Sequence, residues 1–247
     1  MKKLMLIAWL IALVIPTLAQ TDYKQWEVMY IRPKADKLDL FKKGMAAHNK
    51  KFHSTDPYKA GVASILTGPQ SGSYAWYMGP TTWTQMDGRP GKGEHDMDWD
   101  KMVVPNIESS SEVTYWRADN ELSYQPAGGS TTFIKSRQRN YTILPGQTDR
   151  FAAAIKMIVD VYKKKSYPVA YSVYWRQGAS AGPHAIVSID FDKWAYFDRA
   201  NTVMKDFEEV HGAGSWARFL DELALSLDRT KTFDELGELV AELSGGN

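Results

Sequence analysis

The chain has 247 residues, 44% hydrophobic and 24% charged, which suits one large or two small globular domains and excludes a disordered chain. Its formal charge of +1 gives no footprint for nucleic acid or an anionic membrane, and the absence of cysteine rules out disulfides.

The first residues, "MKKLMLIAWLIALVIPTLAQ", place Lys2 and Lys3 before an apolar run over residues 4–15, followed by Pro16 and the small residues Thr17 and Ala19. This is the pattern of a secretory signal cut after Ala19, and the run is well short of the roughly 20 apolar residues that span a bilayer. The mature chain is therefore expected in the periplasm or outside the cell, with no membrane span after cleavage. No cysteine follows the run to carry a lipid anchor.

After residue 20 the elements come in a recognisable order. "WEVMYIRP" (26–33) reads as a strand that a proline ends. "DKLDLFKKGMAAHNKKF" (36–52) sets Leu38, Phe41, Met45, His48 and Phe52 at steps of three and four, the stripe of an amphipathic helix. Two strand-like runs follow, "YKAGVASILTG" (58–68) and "SYAWYMG" (73–79), joined by the turn "PQSG". "WTQMD" (83–87) should open a second helix, with Trp83 packed into the core. "GRPGKGEHDMDWD" (88–100) reads as a charged, glycine-rich surface loop, or a lid from its length alone. "DWDKMVVPNIES" (98–109) continues as helix, and the unit closes through "NELS" (120–123).

The same order then returns. "RQRNYTILP" (137–145) is a strand, and Tyr141 lies 111 residues after Tyr30. "TDRFAAAIKMIVDVYKKK" (148–165) puts Phe151, Ile155, Ile158 and Tyr162 on a stripe that matches Phe41, Met45, His48 and Phe52 at an offset of 110. "YPVAYSVYWRQG" (167–178) and "HAIVSIDF" (184–191) flank "ASAGP". "WAYFD" (194–198) repeats the Trp and Asp of "WTQMD" 111 residues on, and "SWARFLDELALSL" (215–227) leads to "AELS" (241–244). The expected division is a signal peptide at 1–19, a first unit at 20–123, a linker at 124–131 and a second unit at 132–247.

Each unit reads strand, helix, strand, strand, helix, strand, the ferredoxin-like βαββαβ plait. The expected class is α+β: two tandem ferredoxin-like units whose bare sheet faces close on each other as a fused α+β barrel. With this element order, the repeat and stretches such as "NYTILPGQTDRF" (140–151), the chain resembles the dimeric α+β barrel superfamily. That group includes antibiotic-biosynthesis monooxygenases, haem-degrading monooxygenases, NIPSNAP-like proteins and the chlorite dismutase group. The resemblance implies a cavity between the sheets that holds a hydrophobic or planar small molecule. The first expectation is an exported cell-envelope protein that binds such a molecule between its sheets; the alternative is a cofactor-independent monooxygenase or a haem-dependent enzyme of that superfamily.

Strand alternation sorts the candidates for that cavity. Ala185, Val187, Ile189 and Phe191 suit the helix-covered face, which turns His184, Ile186, Ser188 and Asp190 inward. In the first unit, Tyr74, Trp76 and Met78 fall under the helices, and Ser73, Ala75 and Tyr77 inward. Tyr30 and Tyr141, with Arg32 and Arg139 on their faces, would add two phenols and two guanidiniums for a flat ligand with an acidic group. The expected ligand set is thus Tyr30, Arg32, Tyr77, Arg139, Tyr141, His184 and Ser188. His184 and Asp190 are the candidates for catalysis, and His184 for a haem axial ligand.

Of the other histidines, His48 is the sharper, since it replaces the apolar Ile158 on the repeated stripe, while His53 sits where a helix end exposes carbonyls. Glu94, His95, Asp96 and Asp98 could ligate a metal, but their spacing matches no strong motif, and no metal site is expected. There is no phosphate-cradling glycine loop, no H-E-x-x-H, no nucleophile elbow and no C-x-x-C, which disfavours hydrolase, kinase and dinucleotide chemistry. The partner is expected to be a small molecule, with oligomeric state open.

Overall fold

A computed structural model describes residues 23–127, 134–178 and 182–246. The expected signal sequence at 1–19 and half of the expected linker, 128–131, lie outside the described residues. The described chain folds as a mixed α+β protein around a closed eight-stranded antiparallel barrel.

The first half supplies β1 (Gln25–Pro33), α1 (Leu38–Phe52), β2 (Ala60–Ile65), β3 (Tyr74–Thr81), α2 (Trp83–Met86), α3 (Glu94–Met102), β4 (Ile107–Ser110) and β5 (Thr114–Tyr124). The second supplies β6 (Lys135–Tyr141), α4 (Thr148–Lys165), β7 (Tyr171–Gln177), β8 (Ala185–Phe191), α5 (Val203–His211), α6 (Ser215–Ser226) and β9 (Phe233–Leu239). The strands run β3-β2-β9-β6-β8-β7-β5-β1, and β1 pairs back onto β3 to close the ring. Each half uses the same internal order: β5-β1-β3-β2 in the first and β9-β6-β8-β7 in the second. The halves join where β2 meets β9 and where β5 meets β7. Short β4 stands outside the ring and pairs with the end of β1, beyond the stretch that β5 occupies.

Helices cover the outside of the barrel and make two cores. Under α1, Phe41 and Met45 are fully buried against Ile31, Val62, Trp76 and Met78. Under α4, Phe151, Ile155 and Val159 pack on Tyr141, Val173, Ala185 and Val187, with α5 and α6 adding Phe207 and Phe219. Each such side chain contributes about 1.5–3 kcal/mol on burial, so the stripe spacing that makes the helices amphipathic also attaches them to the sheet. The helical stripes, except Leu38 at the exposed start of α1, and the faces of β3 and β8 are as the sequence implies.

Three local readings are corrected. Trp83 and Trp194 are not core anchors: each is about two-fifths exposed, Trp83 lying against Tyr115 and Trp194 against Phe191. The one-turn α2 and the 3-10 turn Trp194–Asp198 are too short to present a buried face. The run 88–100 is not a loop throughout, because α3 begins at Glu94, where Glu94 and Asp96 favour a helix N-terminus. "AELS" is a 3-10 turn after β9, and it leaves its own half. Leu243 packs in the core under α1, its carbonyl accepts from Asn49 Nδ2 at 2.7 Å, and Asn49 Oδ1 accepts from Trp76 Nε1 at 2.9 Å.

Candidate functional site

With helices on the outside, alternate residues of every barrel strand turn into the lumen. Among the expected site residues, Tyr77, Ser188, Asp190 and Tyr30 are brought there. Tyr77 lies across Gly61 of the neighbouring strand, so closely that any side chain at that glycine would overlap its ring. Ser188 Oγ donates to Asp190 Oδ1 at 2.7 Å. Trp26 meets Tyr174 edge-on with ring centroids 5.4 Å apart.

Asp190 is half-buried, and desolvation raises its carboxyl to about 6, against the opposing effect of the Ser188 hydrogen bond. Its charge is felt by both nearby phenols. Desolvation first and Asp190 second push Tyr174 up to about 12, and the same two causes raise Tyr77 above its ordinary value. These three groups keep part of their surface accessible although the surrounding protein desolvates them, which is the condition of side chains that line an enclosed space.

A second carboxyl, absent from the sequence reading, shares the lumen. Glu235 on β9 is buried; its Oε2 accepts from Tyr30 Oη at 3.1 Å and, at 3.5 Å, from Asn140 Nδ2, and the Gln70 backbone also stabilises the carboxylate. Desolvation raises its pKa, and the Tyr30 bond opposes that rise. The register places Gln138 opposite both Glu235 and Ser188, so β6 separates the two acidic patches.

Tyr141 and Arg139 are corrected to the outer face. Tyr141 packs on Phe151 with centroids 5.0 Å apart, and Arg139 Nε and Nη2 hold Asp234 at 2.5 and 2.7 Å. The cause is a register slip of one residue. The true partner of Tyr141 under the helices is Ile31, and that of Tyr30 in the lumen is Asn140, an offset of 110 rather than 111. Since side chains alternate every residue, one position reverses the face. Arg32 stays at the rim, where its Nη2 donates to the Ser71 carbonyl at 2.9 Å. His184 is exposed at the start of β8, and its Nδ1 accepts the Ile143 N–H at 3.0 Å. It sits at the exposed start of the strand, away from the enclosed Asp190 near the strand's end.

Outside the barrel, three histidines that share no local motif converge between α1 and α3. His53 Nε2 stands 3.2 Å from His95 Nε2, and a ligating atom from each of His48, His53 and His95 falls within 4.8 Å of the others. His48 and His53 are each 1% exposed. Their rings are packed by Phe52, Trp76 and Trp99. Gly44 makes the approach possible, because any side chain there would overlap the Met102 carbonyl at the far end of α3.

The sequence matches no family model and no curated protein. Solved structures share its fold. An anthrone oxidase-like protein superposes with a TM-score of 0.57 at 10% identity, over 92% of this chain and 95% of that one. Chlorite dismutase from Candidatus Nitrospira defluvii, in complex with imidazole, gives 0.52 at 8% identity over 89% and 93%. A haem-binding protein from Thermus thermophilus gives 0.51 at 8% identity over 89% and 92%. At such identities the likeness shows the dimeric α+β barrel fold and no more.

Proposed function

We propose that the barrel lumen binds a small aromatic molecule and that Asp190 takes a proton from it, making the protein a cofactor-independent monooxygenase of an electron-rich aromatic substrate. The observation that carries this reading is the desolvated Asp190 carboxyl, raised to about 6 and set beside Tyr77 and Tyr174. A base whose pKa lies near the working pH is ionised when needed and strong enough to act. Phenol and indole faces give a flat ligand edge and face contacts.

In the reaction proposed, Asp190 removes a proton from an activated ring CH2, and the carbanion gives its electrons to molecular oxygen. One oxygen atom stays as a new carbonyl, and the other leaves as water with the two hydrogens of the CH2. The substrate is the only reductant, so no bound cofactor is required. The fold neighbour described as anthrone oxidase-like supports this substrate class. A haem reading has less support, because Nδ1 of exposed His184 is already an acceptor, which puts the ring proton on Nε2.

Two further readings belong to the same proposal. The chain is two ferredoxin-like units fused in tandem, a reading supported by the shared strand order of the halves and the offset of 110 in α1 and α4. It is exported through its first 19 residues.

The test is oxygen uptake and product absorbance with an anthrone-class substrate, for wild type and Asp190→Asn. The variant should bind, as read by quenching of tryptophan fluorescence, and lose turnover by a factor of at least about a hundred. Turnover at the wild-type rate in Asp190→Asn would overturn the proposal.

A further inference from the structure

The histidine cluster at the α1–α3 contact lies outside the lumen and has no part in the proposed reaction. Its hydrogen bonds fix where its protons are. His53 Nδ1 faces the Tyr58 carbonyl at 3.0 Å, an acceptor only, so that nitrogen carries the proton. His48 Nδ1 faces Asp98 Oδ2 at 2.9 Å and His95 Nδ1 faces Asp96 Oδ1 at 2.8 Å, and each carboxylate likewise requires a donor. All three neutral rings therefore present an Nε2 lone pair on the side away from these partners.

Among the described residues no donor side chain other than these histidines is placed against the lone pairs. His48 Nε2 is buried without a hydrogen-bond partner. His53 Nε2 and His95 Nε2 face each other at 3.2 Å, two acceptors at a distance that suits a donor and an acceptor. A buried acceptor without a donor is costly, and here the unpartnered Nε2 of His48 lies close to the His53–His95 contact. A cation between them resolves every one of these conflicts. Nitrogen ligands about 2.0–2.1 Å from a tetrahedral zinc ion lie about 3.3 Å apart, close to the separation of His53 and His95.

We propose that His48, His53 and His95 form a three-histidine centre for a divalent first-row transition metal, Zn2+ being the ion its donor set and geometry fit best. Three neutral nitrogens leave a fourth coordination position, as in zinc sites that hold water or an exchangeable ligand. Asp98, Asp96 and the Tyr58 carbonyl are the outer partners that set the tautomer and hold each ring, the role such groups take around metal-bound imidazoles. The fold supplies the placement: Gly44 lets α3 close on α1, so that the first turn of α3 carries His95 to the end of α1. Since α3 has no fully buried side chain, the ion would also pin that helix.

The experiment is calorimetric titration of the EDTA-stripped, untagged chain with Zn2+ alone, with Co2+ substitution read by visible absorption. One ion per chain and the absorption of a tetrahedral Co2+ centre are expected. His95→Ala, at the least buried ligand, should abolish stoichiometric binding, and Asp98→Asn should weaken it about 10–100-fold. His184→Ala should bind as wild type. Absence of stoichiometric Zn2+ binding would overturn the proposal and leave a proton shared between His53 and His95 as the account of their contact. Binding unchanged by His95→Ala would overturn it as well.

Discussion

Tyr30 and Glu235, 205 residues apart, meet inside the barrel, the phenol donating to Oε2 of the acid at 3.1 Å. The bond ties the first strand of one half to the last strand of the other. Removing the hydroxyl with Tyr30→Phe takes away the shortest side-chain bond to Glu235 and leaves it the 3.5 Å contact from Asn140 and the Gln70 backbone, in a place that water does not reach easily. The expected loss is about 1–3 kcal/mol in denaturant unfolding at neutral pH. A change below a few tenths of a kcal/mol would mean that water already satisfies the acid.

Gly61 and Tyr77 make a second constraint on the lumen. The ring of Tyr77 occupies the space where a Cβ at Gly61 would stand. Gly61→Ala should force the ring from its place, with about 1–3 kcal/mol of overpacking cost and a weakened aromatic ligand. Ligand affinity and unfolding free energy are the two measurements, and both should fall. Undisturbed affinity would show that Tyr77 does not define the binding space.

How far the sequence carries can be judged from particular residues. The helical stripes of α1 and α4 and the faces of β3 and β8 were legible, because burial on one side imposes a period that the residues display. Tyr141 was not: its match to Tyr30 at an offset of 111 looks as good as the match to Ile31 at 110, and only pairing across strands decides the face. Glu235 was missed because "DELGEL" reads as a polar surface run, whereas the closed barrel turns one side of it inward. The convergence of the three histidines was missed for another reason. His48 and His53 are five residues apart, not one helical turn, and His95 comes from another helix, so their meeting is a product of packing. One signal was present, the imidazole standing where the repeat has Ile158.

Arg89 should be a large contributor to the first half. Its Nε and Nη2 donate to Glu27 Oε2 and Oε1 at 2.7 and 2.5 Å, and Glu27 is 1% exposed. Glu27 points to the helix side of β1, so the pair fastens the segment before α3 to the barrel. Arg89→Ala strands a buried carboxylate and should cost about 3–5 kcal/mol in thermal or denaturant unfolding. Arg89→Lys should recover only part of this, because an ammonium cannot reproduce two parallel bonds. Full recovery with lysine would mean that charge alone, without the fork, holds the segment.

Asp190 gives stability a pH dependence whose sign can be worked out. Its folded value of about 6 lies above the ordinary 3.8, so the folded state holds the proton more tightly than the unfolded one. Its favourable contribution is complete below about pH 4 and is lost as pH rises towards about 6; beyond that a steady cost on the order of 3 kcal/mol remains. Asp190→Asn keeps an acceptor for Ser188 and removes the ionisation. Relative to wild type, the variant should therefore gain stability progressively between about pH 4 and 6 and hold that gain at higher pH. Chemical denaturation at several pH values checks this, and a constant difference across the range would refute it. If the same substitution abolishes turnover while it stabilises the fold, the charge in the lumen is retained at a cost to stability, as expected of a group kept for its chemistry.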